Sequence, residues 1–170
     1  MDWVLALLLF LHVAGAIVGF GPTYAFLILG PMAGAEPPHL NFGLRLQQRI
    51  ATTLVVPLAL FQGVTGLLLV WRIGFEVLSR GWLLLAIALY LIALAISFGV
   101  LLPALRTLIP ATSGPPPAPA PGQPPAGPPP HIVAVRDRAK MGGRINAILI
   151  LLIVALMISG PRGFLNTPLF

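Results

Sequence analysis

The chain has 170 residues, of which 58% are apolar and only 8% charged, with a net charge of +6 and no cysteine. A soluble domain carries about 25% charged residues, so a water-facing surface cannot be built here and most of the surface must meet lipid. The missing cysteines exclude disulfides, thiolate metal sites, iron–sulfur clusters and a cysteine nucleophile. The positive charge does not indicate nucleic acid, because the few basic residues lie between apolar runs, without a basic stripe or stacking aromatics.

The first apolar run covers about residues 3–29 and contains Pro22. It begins directly after Met1 and Asp2 without a basic leader, and it stays apolar beyond Ala14-Gly15-Ala16. It therefore reads as a retained helix and not a cleaved signal. The second run covers about 50–71 with Pro57 inside, and the third about 82–108 with Pro103 near its end. The fourth, about 140–160, reaches full length only if Lys140 and Arg144 snorkel to the interface. Roughly 20 helical residues cross about 30 Å of hydrocarbon. The runs are continuous and lack the alternation of a transmembrane strand, and helices satisfy every backbone group internally. The expected fold class is all-α: a polytopic membrane protein, an antiparallel bundle of four transmembrane helices in a single membrane domain. Pro22, Pro57 and Pro103 mark expected kinks.

Between the third and fourth runs lies the one low-complexity segment, residues 110–130, in which eleven of twenty-one residues are proline and none is charged. It reads as an extended or disordered spacer. The stretch after it, HIVAVRDRAK, reads as a short basic loop.

Four spans place the first and third loops on one side. Arg45 and Arg49 fall in the first loop, and Arg106, Arg136, Arg138, Lys140 and Arg144 in or beside the third. The other side holds Arg72, Arg80 and Arg162. The positive-inside rule then puts both termini outside and loops one and three in the cytoplasm. Trp3, Trp71 and Trp82 all fall at span ends on the outer side, as an aromatic belt would. A nine-to-one ratio of Arg to Lys suits a GC-rich bacterial genome and hence a bacterial inner membrane.

His12 is the ionisable side chain at membrane depth. Such residues are rare and tend to be functional. A neutral imidazole there can ligate haem, bind a metal, relay a proton or hydrogen-bond across the bundle. The other histidines, His39 and His131, fall outside the spans, so a second haem ligand would have to come from another copy of the chain or from Met157. Gly15 and Gly19, Ala59 and Gly63, and Ala93 and Ser97 are small-xxx-small pairs that favour close helix packing. Gly15 and Gly19 could equally leave room for a flat ligand beside His12. In the second span Gln62 and Thr65 share a helix face. They are read either as interhelical hydrogen-bonding groups or as part of a polar substrate path. Tyr24, Tyr90 and Asn146 are similar polar contacts. Glu36 and Glu76 fall in loops and no Asp or Glu lies in a span, which argues against a carrier driven through a buried carboxylate. The basic cluster from Arg106 to Arg144 reads as a topology signal in contact with anionic lipid.

Three stretches carry a family resemblance: HVAGAIVGFGP, GWLLLAIALYLIALAISFGVLLPALRTL and KMGGRINAILILLIVALMISGPR. They resemble a bacterial family of four-helix predicted integral membrane proteins, catalogued as a domain of unknown function. The His-plus-glycine opening is also distantly similar to copper-resistance membrane domains and to the membrane protoporphyrinogen oxidase. In the latter, a first-span histidine and a membrane lysine are implicated with haem or porphyrin. Here the only lysine is Lys140, at the edge of the fourth span. Only His12 carries over.

The sequence supports three functional readings. The first is an integral inner-membrane protein acting as an accessory or structural subunit, alone, as a homo-oligomer or beside other membrane subunits. The second is a redox protein using His12 with haem b or a porphyrin. The third is a small transporter or metal-handling protein using the polar second span.

Overall fold

A computed structural model of the protein describes residues 2–74, 80–114 and 127–160. Glu76, Arg162 and most of the proline spacer (residues 115–126) lie outside the described residues. Helix α1 is Trp3–Ala35, α2 Pro37–Ile50, α3 Val56–Ile73, α4 Gly81–Ile96, α5 Leu102–Ala111 and α6 Pro130–Ser159. Among the described residues there is no strand. A widened π-helical turn, Ala51–Val55, joins α2 to α3, and a second, Ser97–Leu101, joins α4 to α5. Two helical columns therefore run unbroken over Pro37–Ile73 and Gly81–Ala111. With α1 and α6 they make four helices of 33, 37, 31 and 30 residues, each long and apolar enough to cross a membrane.

The ends follow local chemistry. Asp2 caps α1, its carboxylate accepting from the Val4 amide at 3.1 Å. Prolines open α2 and α6, where the missing N–H would have no helical partner anyway. Pro57 and Pro103 stand at matching places, each in the first turn after a π segment. There the Val56 amide reaches back to the Ala51 carbonyl, and the Leu102 amide to that of Ser97. A widened turn just before a proline makes room for its ring and absorbs the missing hydrogen bond. α1 continues through both Pro22 and Pro31.

The helices start earlier than hydropathy alone indicates. The second begins at Pro37 and not near Ile50, and the fourth at Pro130 and not near Lys140. Hydropathy finds the part that crosses lipid, whereas a helix goes on for as long as its face has something to pack on. The segment PPHLNFGLRLQQRI packs on α1 and α5. Its Asn41 amide donates to the Ile109 carbonyl and to Thr112 Oγ1, both at 2.9 Å. Arg45 and Arg49 thus ride on α2 and not in a loop, Arg106 on α5, and Arg136, Arg138, Lys140 and Arg144 on α6. HIVAVRDRAK is helical.

The contacts fit an up-and-down order. Asp2 at the start of α1 forms an ion pair with Arg72 near the end of α3. Gly160, just past α6, lies against Trp82 near the start of α4. α1 and α3 cross closely, and a Cβ on Gly19 would sit 2.7 Å from Leu58 Cβ. Large apolar side chains such as Phe10, Ile17 and Leu67 face outward, and Trp3 and Trp71 are 74% and 65% exposed. A contiguous apolar surface of this kind matches hydrocarbon and not water.

Gly19→Ala should force α1 and α3 apart and destabilise the protein by about 1–3 kcal/mol, the usual range for overpacking. Gly21 has nothing within 4 Å of its Cβ position, so Gly21→Ala should be neutral or slightly stabilising. Unfolding of both variants in detergent micelles checks the contrast.

Candidate polar clasp between α1 and α3

Three of the polar residues singled out in the sequence come together. His12 projects from α1 between Gln62 and Thr65, which lie one turn apart on α3. His12 Nδ1 is 3.0 Å from Thr65 Oγ1, and His12 Nε2 is 2.9 Å from Gln62 Nε2. The Thr65 hydroxyl spends its own hydrogen inside α3, on the carbonyls of Phe61 at 3.0 Å and Gln62 at 3.2 Å. Its oxygen is then left to accept from the ring. The arrangement is met by an imidazole with Nδ1–H donating to Thr65 and Nε2 accepting from the Gln62 amide. Thr65 is only 2% exposed.

Glycines make the clasp possible. A Cβ on Gly66 would lie 3.2 Å from His12 Cε1, so the ring packs onto bare backbone. A Cβ on Gly15 would lie 3.1 Å from Gln62 Oε1 and 3.2 Å from the Phe61 ring. Gly15 and Gly19 therefore seat α3 side chains and leave no slot for a flat ligand. Gly66 and Phe61 escape a reading based on small-xxx-small spacing, because their role appears only once α1 is laid against α3.

The remaining polar groups tie the other helices. Tyr90 on α4 donates to the Ala59 carbonyl at 2.8 Å, its hydroxyl seated over Gly63. Asn146 on α6 donates to Ser97 Oγ at 3.2 Å, and Ser97 donates to the Ala93 carbonyl at 2.8 Å. Tyr24 on α1 donates to the Ala147 carbonyl at 3.2 Å. Thr23, Tyr90, Ser97 and Asn146 are among the residues around an interior cavity of only about 20 Å³. Among the described residues, two buried acceptors, Gln62 Oε1 and Asn146 Oδ1, have no hydrogen-bond partner.

In this arrangement neither ring nitrogen of His12 is free to ligate haem without giving up a hydrogen bond. Axial ligation needs a bare ring nitrogen, and both nitrogens already face polar partners within 3.0 Å.

A model of one family matches residues 6–161. The chain belongs to the family described as predicted integral membrane protein (DUF2269). No curated protein and no solved structure matches it. The match takes in the whole clasp, from His12 on α1 to Thr65 on α3, together with all seven basic residues of the α2, α5 and α6 end.

A double-mutant cycle on His12→Ala and Gln62→Leu should give a coupling of about 0.6–1.7 kcal/mol, the range for interhelical hydrogen bonds in membranes. His12→Ala alone should cost about 1–3 kcal/mol because it strands the Gln62 amide. Unfolding of the four proteins in micelles checks both numbers.

Proposed function

We propose that this DUF2269 protein is an accessory or structural subunit of a bacterial inner membrane, with both termini outside and the basic helix ends in the cytoplasm. In this reading His12 is a packing group, and the observation that carries it is the engagement of both ring nitrogens by α3. Support for the orientation comes from charge. Seven basic residues ride on the helix ends opposite the tryptophans, an asymmetry that positive-inside insertion would produce. A second reading, passage of a small polar solute, draws on the buried unpartnered oxygens of Gln62 and Asn146. Asn146 borders an interior cavity near the size of one water, which favours the structural role.

Two measurements test this. The chain has no cysteine, so single cysteines at Gly74 and Gly114 report each side without background. In intact cells an impermeant maleimide should label Gly74→Cys and spare Gly114→Cys, and the reverse pattern would invert the orientation. The purified protein, expressed with haem supplied, should show no Soret band. A band lost in His12→Ala would overturn the packing role and restore a redox one.

A further inference from the structure

The outward face of α6 changes chemistry over three turns. Asp137, Lys140, Met141, Arg144, Ile145 and Ile148, all on this one helix face, border an open hollow of about 340 Å³. Two cations stand at its outer part, Lys140 and Arg144, one helical turn apart. Met141, 65% exposed, lies between them along the helix, and beyond Arg144 the face is apolar, with Ile148 57% exposed. The last charge on this face is Arg144, and past it the face turns apolar in the direction of the hydrocarbon.

The depth is right for a headgroup. Counting back about 20 residues from Gly160, roughly one hydrocarbon thickness, arrives at Lys140. Neither cation has an ion-pair partner among the described residues. The described acids are engaged elsewhere: Asp2 with Arg72, Glu36 with His39, and Asp137 with Arg136. Asp137 is the one carboxylate at the hollow, at its outer rim and turned toward Arg136 at 3.6 Å.

We propose that this hollow is a binding site for one anionic phospholipid, the phosphate held between Lys140 and Arg144 and an acyl chain lying along Ile145 and Ile148. A lone phosphate would use the cations but not the apolar floor. A zwitterionic lipid would use the floor but bring its own cation to the rim. An anionic amphiphile matches both parts. The site rests on membrane embedding and is independent of the role of His12.

Native mass spectrometry of the full chain in detergent, titrated with dioleoyl-phosphatidylglycerol or dioleoyl-phosphatidylcholine, tests it. The anionic lipid should be retained at least tenfold better than the zwitterionic one, and equimolar inorganic phosphate should not displace it. Lys140→Gln with Arg144→Gln should abolish the preference. Arg45→Gln with Arg49→Gln, which removes the same charge from the same end, should leave it intact. Asp137→Asn should strengthen retention, a gain that misfolding cannot mimic. Equal loss in both double variants would reveal a diffuse charge effect, and displacement by phosphate would reveal a plain anion site. Either result overturns the proposal, as does a preference that survives in Lys140→Gln with Arg144→Gln.

Discussion

Hydrocarbon offers no hydrogen bonds, so a polar side chain sunk into it is stabilised by a partner within the bundle. His12 meets that constraint with α3 alone, through Gln62 on one nitrogen and Thr65 on the other. Apolar packing gives little preference for one helix over lipid, since lipid tails are as apolar as leucine. The polar clasp supplies what packing cannot, a reason for α1 to sit at one rotation and one depth against α3. The glycines follow from it. Gly66 lets the ring reach α3 backbone, and Gly15 and Gly19 let α3 approach closely enough for the hydrogen bonds to form.

The same logic recurs with weaker partners elsewhere. Tyr90 and Tyr24 spend their hydroxyls on backbone carbonyls of α3 and α6, and Asn146 reaches Ser97 where the second π turn begins. Every one of these bonds joins two different helices. Among the described residues the interior is thus tied by pairwise polar bonds between helices. The chemistry left facing outward is the apolar wall and the basic helix ends. That is where the protein meets lipid.

Much of this was legible from residues alone. Four long apolar runs and a scarcity of charge dictate membrane helices, and His12 and Gln62 stand out as polar groups in apolar surroundings. Their pairing was also within reach. Trp3 and Trp71 mark the same end of the bundle, and nine residues inward from each stand His12 and Gln62. Antiparallel neighbours at equal depth should meet. The helix starts at Pro37 and Pro130 were not legible, because hydropathy stops reporting where the helix leaves lipid and tertiary packing, such as Asn41 on α5, carries it on. The π turns were hidden too. Proline in the sequence signals a perturbed helix, but whether the helix bends or widens depends on its neighbours.

The most direct test of the His12 clasp is the nitrogen-15 spectrum of labelled protein in lipid bilayers, its histidine signals assigned by comparison with His12→Ala. The account predicts two well-separated His12 resonances, one protonated and one accepting nitrogen. Gln62→Leu should shift the accepting one and leave the other in place. A single exchange-averaged signal unaffected by Gln62→Leu would mean that the ring is not held between α1 and α3, and would contradict the account.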